Sequence, residues 1–248
     1  MTPNTHKPSK LPTPNYGIDA PAVLRNLFLF GLVALLLAVQ PYRIHLGPVT
    51  FTHKGFYWIA GFLLAEGLLY LLYVKVGKLR HRDHLLALHC WRGDEQVLDV
   101  GCGRGLLLAG AAKLIPDGHA TGLDLWSNVD MGQNSPEATQ RNLEIEGVED
   151  RCTLLSVGAQ DMPFPDGSFA VIVSNLCLHN IYDRPTREQA VEQIARVLKP
   201  GGVALLSDYK HTRQYARQLR ALGLTVTRSY GNVLATFPPL PIVIVQKP

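Results

Sequence analysis

Three glycines at alternate positions, Gly101, Gly103 and Gly105, follow the apolar run Val97-Leu98-Asp99-Val100 and precede a helix-compatible run, Leu106 to Leu114. Glycine is needed where a ligand approaches the backbone closely or where φ is positive. A helix start adds unpaired N–H groups that favour a carboxylate or other electron-rich group. The turn, with Cys102 inside it, therefore reads as a nucleotide-like cofactor site. A tight strand-to-helix turn without a ligand is the alternative, because G-x-G-x-G is not the dinucleotide spacing. Asp124 favours the cofactor reading. It ends a second strand-like run, His119 to Asp124. That puts an acid about twenty residues past the turn, where Rossmann-like folds hold a ribose diol. Leu125 follows it and joins the same candidate set.

Those residues need a sheet to bring them together. A third strand-like run, Cys152 to Val157, leads to Gln160-Asp161-Met162-Pro163-Phe164. A fourth, Ala170 to Ser174, opens into Asn175-Leu176-Cys177-Leu178-His179-Asn180. Lys199-Pro200-Gly201-Gly202 then turns a helix into a fifth, Val203 to Ser207.

Taken together, VLDVGCGRG, TGLDLW, QDMPFPDGSF, VSNLCLHNI and RVLKPGG resemble the class I S-adenosylmethionine-dependent methyltransferases, and most of all the small-molecule enzymes related to the quinone C-methyltransferases. The likeness spans about residues 95 to 210, and Ala170 departs from it where relatives usually carry an acid. It implies an α/β, Rossmann-like fold with a mostly parallel sheet and a closing antiparallel hairpin, to which Leu224 to Ser229 and Ile242 to Gln246 are suited. It implies S-adenosylmethionine as cofactor, with Gly101, Gly103 and Gly105 against its methionine part and Asp99 holding its amino end. Asp124 would take the ribose hydroxyls, and Asp161 the adenine amino group with the Met162 N–H toward the ring. Asn175 and Leu176 would lie beside the transferring methyl. A turn-forming role is the alternative for Asp161.

Upstream, Ala22 to Val39 and Phe56 to Val74 are almost wholly apolar, each close to the length of a membrane-crossing helix. The expected domains are a flexible tail and lid over 1–21, a two-helix membrane hairpin over 22–76 and the methyltransferase domain over 77–248. Two buried helices of a soluble domain are the alternative. Lys75, Lys78, Arg80 and Arg82 follow the second run and Lys7, Lys10 and Arg25 precede or open the first, whereas the link carries Arg43 and Lys54. Positive-inside counting puts both termini and the catalytic domain in the cytoplasm. Glu66 lies inside the second run and must face a helix, a subunit or a polar cavity.

Two segments are available to close the pocket. Asn15-Tyr16-Gly17-Ile18-Asp19-Ala20-Pro21 stands before the first apolar run. Tyr16 and Asp19 are either an interface anchor and a helix cap or catalytic members of a lid. The connection after Asp124, through Trp126, Asp130, Gln133 and Asn134 to Ser135, exceeds the usual two to six or so residues. It caps the adenine or walls the substrate pocket. His179 is the general-base candidate, since histidine titrates near neutrality, with packing or helix capping as the alternative.

The 248 residues carry a formal net charge of +4 without one long basic block, which argues against a nucleic-acid footprint. Cys90, Cys102, Cys152 and Cys177 are dispersed, and His81 with His84 lacks the partners of a metal set, so no metal is expected. The favoured function is a membrane-anchored methyltransferase for a small, lipophilic acceptor. The alternatives are a methyltransferase for a protein or other soluble acceptor, and a non-catalytic cofactor-sensing membrane adaptor.

Overall fold

The computed structural model describes residues 12–39, 43–230 and 236–248. Most of the expected flexible tail, with Lys7 and Lys10, lies outside them, as does Gln40-Pro41-Tyr42. The chain begins with α1 (Pro21–Val39). A two-stranded ribbon follows, β1 (Arg43–Leu46) and β2 (Val49–Thr52), turning through Gly47 at φ 60°. The ribbon forms the link between the two apolar runs, and β-branched Val49, Thr50 and Thr52 suit it. Then comes α2 (Lys54–Leu72). A wider π-helical turn, Tyr73–Gly77, carries it without a break into α3 (Lys78–Leu86).

Small residues let α1 and α2 approach each other. A Cβ on Gly31 would lie 2.8 Å from the Leu64 side chain, and one on Gly67 would lie 3.1 Å from the Phe28 ring. This antiparallel register buries Gly31, Ala34 and Ala38 on α1, and Ala60, Gly67 and Tyr70 on α2. Small residues at a helix–helix interface let the two backbones approach closely. The outward faces carry the large apolar side chains: Leu36 is 70% exposed and Trp58 84%. Both helices are long and apolar enough to cross a membrane, by length and composition.

The rest is a doubly wound sheet. Its elements are β3 (Gln96–Val100), α4 (Leu106–Ala112), β4 (His119–Leu123), α5 (Pro136–Glu146), β5 (Cys152–Leu155), β6 (Phe169–Asn175), α6 (Arg184–Val197), β7 (Leu198–Ser207), α7 (Thr212–Ala221), β8 (Thr225–Ser229) and β9 (Ile242–Gln246). The strand order is β5-β4-β3-β6-β7-β9-β8, with β9 antiparallel to both of its neighbours and the other pairings parallel. Ser135 caps α5 by accepting from the Ala138 N–H, and Pro136 opens the helix. One apolar layer joins β6 and β7 to α6 and α7, and the other joins β3 to α3 and α4. Strand order reverses at β3, between β4 and β6. The crevice beyond the carboxyl ends of these strands is where open α/β sheets bind ligands.

Candidate functional site

A cavity of about 650 Å³ occupies that crevice. Its floor is the turn after β3, the acid after β4 and the end of β6: Gly101, Gly103, Asp124, Asn175 and Leu176. Both glycines have positive φ, 74° and 49°. A Cβ on Gly101 would come within 2.2 Å of the Cys177 sulfur, so no other residue fits there. Asp124 Oδ2 accepts from the Gly103 N–H at 2.8 Å, and its Oδ1 accepts from the Trp126 N–H at 2.6 Å and the Asn134 amide at 3.1 Å. These bonds lock the carboxylate against the glycine turn. Asn175 Oδ1 is buried without a hydrogen-bond partner among the described residues.

Asp99 sits beneath the floor. It is 1% exposed and neither carboxylate oxygen has a partner among the described residues. Burial, with the Asp124 charge adding to it, pushes this carboxyl up to about 8. Cys102 and Cys177 are pushed well above the ordinary thiol range, chiefly by burial, and stay protonated.

At the far wall, His179 Nδ1 lies 2.8 Å from Asp208 Oδ1, off the line of an ideal hydrogen bond. Asp208 follows β7 directly and is 2% exposed. Its Oδ2 accepts from the His179 N–H at 3.1 Å and from the Tyr215 hydroxyl at 3.3 Å. The Tyr209 ring meets the imidazole edge-on, with centroids 4.6 Å apart. These contacts fix the ring, and Nε2 has no partner among the described residues. A buried carboxylate on one ring nitrogen with the other left open is the arrangement of a general base.

The roof comes from the amino-terminal part of the chain. Residues 15–20 run as a strap along the 125–134 loop: Asp19 bridges Met131, Ala20 N–H donates to Asp130 O at 2.9 Å and Gly132 N–H donates to Ile18 O at 3.3 Å. Asp19 lines the cavity with Tyr70 of α2 and Tyr73 of the π turn. The Tyr70 hydroxyl donates to the Asp19 carbonyl. Burial raises the Asp19 carboxyl above its ordinary range, partly offset by the Lys78 ammonium 3.7 Å away. Ala20, Trp126 and Leu176 hold φ of 40°, 59° and 54° around the cavity. Left-handed backbone at such residues costs about 1–3 kcal/mol each and clusters at functional sites.

The structure thus gathers Gly101, Gly103, Asp124, Leu125, Asn175, Leu176, His179 and Asp19 around one cavity. Gly105 and Cys102 shape the turn from behind. Four residues expected at the site stand off the lining: Asp99, buried beneath the floor rather than open to the cavity, and Asp161, Met162 and Tyr16. Asp161 is exposed and off the lining, and its N–H closes a turn onto Gly158 O. Gly158, Ala159 and Gln160 form that wall instead. Met162 packs in the core under it. Tyr16 turns away from the cavity, buried, and its hydroxyl donates to Glu146 of α5. Asp208, Tyr70 and Tyr73 join the site without having been singled out in the sequence. Asp208 was findable as an acid at the carboxyl end of the strand beside β6, whereas the tyrosines lay inside an apolar run.

Residues 97–202 match the family model described as "Methyltransferase domain". The chain is 35% identical over 123 residues to a demethylmenaquinone methyltransferase of Symbiobacterium thermophilum, covering 49% of this chain and 45% of that protein. It is 31% identical over 120 residues to the ubiquinone/menaquinone biosynthesis C-methyltransferase UbiE of Vibrio campbellii, covering 48% and 42%. The chain therefore spans less than half the length of these two relatives. A solved S-adenosylmethionine-dependent methyltransferase of Aquifex aeolicus superposes with a TM-score of 0.53 at 17% identity, covering 66% of this chain and 88% of that one, a likeness of fold. Family and fold imply S-adenosylmethionine as the cofactor. The residues present fit it: a glycine turn with positive φ, a carboxylate that accepts from that turn's Gly103 N–H, and a buried amide oxygen unpartnered among the described residues line one cavity.

Proposed function

We propose, for a chain whose residues 97–202 belong to the methyltransferase-domain family, that it transfers the methyl group of S-adenosylmethionine to a small lipophilic acceptor at the cytoplasmic face of a membrane. One observation carries the acceptor class. The cavity that holds the cofactor residues is roofed by the ends of two apolar helices, through Ala22 and Val23 of α1 and Tyr70 of α2. Leu125, Val129 and Tyr182 stand exposed on the same rim. An acceptor dissolved in the bilayer meets this rim without crossing water. The outward apolar faces of α1 and α2 and the basic residues after α2 support the spanning hairpin.

S-adenosylmethionine, when bound, supplies an electrophilic methyl group on its sulfonium. Asp124 would hold the ribose hydroxyls, and Asn175 Oδ1, unpartnered among the described residues at the end of β6, would accept a hydrogen bond from the bound group. The strap and the tyrosines exclude water and hold the acceptor in line. Such orientation supplies up to about 7–11 kcal/mol of a barrier. His179 Nε2 takes the acceptor's proton, while Asp208 orients the ring and stabilises the imidazolium that forms.

The test is incubation of the full chain, reconstituted in vesicles, with methyl-labelled S-adenosylmethionine and a lipid extract, followed by mass spectrometry of both phases. The reading expects label in an apolar product with stoichiometric S-adenosylhomocysteine. Label confined to protein or water-soluble products overturns the acceptor class, and cofactor binding without turnover overturns the enzyme.

A further inference from the structure

A second cavity, of about 750 Å³, lies on the other side of the strap from the cofactor site. Its walls are the strap from Thr13 to Ile18, the junction of the π-helical turn and α3 at Lys75, Lys78 and Leu79, and Arg104 of the glycine turn. Arg104 is only 7% exposed, yet its guanidinium makes no hydrogen bond or ion pair among the described residues, and its buried Nε is unpartnered. A buried N–H left without an acceptor is costly, and an anion's oxygen at the guanidinium would meet it. Lys78, 6% exposed, is largely spent: its ammonium donates to the Tyr16 and Gly17 carbonyls at 2.8 and 2.6 Å and faces Asp19. Lys75, exposed on the rim, adds a charge that nothing in the wall balances. The planar guanidinium fork matches phosphate oxygens, and the lysine adds a point charge.

Height selects the anion. Lys75 and Lys78 stand just past the apolar stretch of α2, and Pro21, where α1 starts, lines the same cavity. If the two helices span a bilayer, as proposed above, this is the level of the cytoplasmic headgroups. We infer that the cavity between the strap and Arg104 is a binding site for the phosphate of an anionic phospholipid headgroup, and that a bound headgroup fastens the strap over the cofactor site. The fastening is direct, because the residues that wall this cavity on one side continue into Asp19 and Ala20, which roof the other.

The test uses the full chain in neutral detergent, titrated with short-chain phosphatidylglycerol, short-chain phosphatidylcholine or inorganic phosphate. It is read by thermal melting and by native mass spectrometry of retained lipid. Phosphatidylglycerol should raise the melting temperature and leave one lipid bound where phosphatidylcholine does neither. Arg104→Gln should weaken phosphatidylglycerol binding by about tenfold or more, as loss of a charge-assisted contact does, and leave S-adenosylmethionine affinity by calorimetry unchanged. Lys75→Gln, a substitution at an exposed position, should weaken lipid binding in the same direction and covers the case in which the Arg104 variant does not fold. Equal stabilisation of wild type and both variants overturns the inference. So does equal binding of inorganic phosphate, which makes the site one for free anions, and so does loss of cofactor affinity in Arg104→Gln, which assigns the guanidinium to the cofactor. Flotation separates this inference from the membrane reading. A chain that floats with phosphatidylcholine vesicles but gains nothing from phosphatidylglycerol loses only the headgroup site, whereas a chain that floats with neither loses the hairpin itself.

Discussion

Val97, Leu98 and Val100 of β3, beneath the cavity floor, are fully buried, whereas Leu29, Phe30 and Leu36 of α1, behind its roof, are more than half exposed. Both segments are rich in large apolar residues, yet they dispose of them in opposite ways. The sheet packs its side chains into two layers, so the floor is fixed by strands that cannot shift without opening a core. The hairpin closes on glycine and alanine and turns its large side chains outward, so the roof is held by polar latches: the Tyr70 hydroxyl on Asp19 O, Lys78 on two strap carbonyls, and Asn142, which donates to Asn15 O at 3.0 Å and accepts from its N–H at 2.9 Å. A rigid floor suits cofactor binding and proton transfer. A latched roof suits an acceptor that must enter and leave.

The comparison can be broken by moving an effect from one region to the other. The largest effect belongs to the sheet side of the cavity, at its far wall. His179→Ala should lower methyl transfer by about 10²–10⁴-fold, the usual worth of a positioned base, with S-adenosylmethionine affinity unchanged by calorimetry. Asp208→Asn should reproduce part of the loss and alter the pH–rate profile, because it acts through the imidazole. Next comes Asp124→Ala, which should weaken cofactor binding by the roughly 1.5–3 kcal/mol of a hydrogen bond to a charged group. An unchanged Kd in a folded variant removes Asp124 from the site.

A smaller effect concerns stability. The Asp99 carboxyl is raised by burial to about 8, so the folded chain keeps a proton there that the unfolded chain has released. Stability of the cofactor-free protein should therefore fall as pH rises from about 4 toward about 8. Asp99→Asn should flatten that slope and raise the neutral-pH melting temperature, and the two melting series measure it. The smallest effect is Tyr16→Phe. It removes a hydrogen bond to Glu146 outside the cavity and should cost about 0.5–1.5 kcal/mol of stability with the transfer rate intact. A large loss of rate at unchanged stability would place Tyr16 in the chemistry.

The floor was legible in the sequence because local chemistry writes it. Glycine spacing, an acid after the second strand and a polar run after β6 each sit at a strand end, and strand ends converge in this sheet. Asp161 shows the limit. β5 ends at Leu155, and the turn that follows brings Gly158 to Gln160 to the wall while carrying Asp161 past it, a shift of a few residues that no spacing reveals. Asp208 meets His179 across 29 residues of chain, a pairing set by the β6–β7 register. Tyr70 and Tyr73 carried no mark within an apolar helix. Only the antiparallel packing of α2 on α1 and the wider turn at Tyr73–Gly77 bring them to the cavity.

The central claim is that floor and roof divide the work, the first holding cofactor and base and the second placing a lipophilic acceptor. It is tested most directly by comparing the full chain in vesicles with a chain beginning at Lys78, measuring S-adenosylmethionine binding by calorimetry and labelled methyl recovered in the organic phase. The account predicts that the shortened chain still binds the cofactor, through residues downstream of Val97, while transfer to the organic phase is lost. Transfer at the full-length rate by the shortened chain would contradict it and leave the hairpin a mere tether.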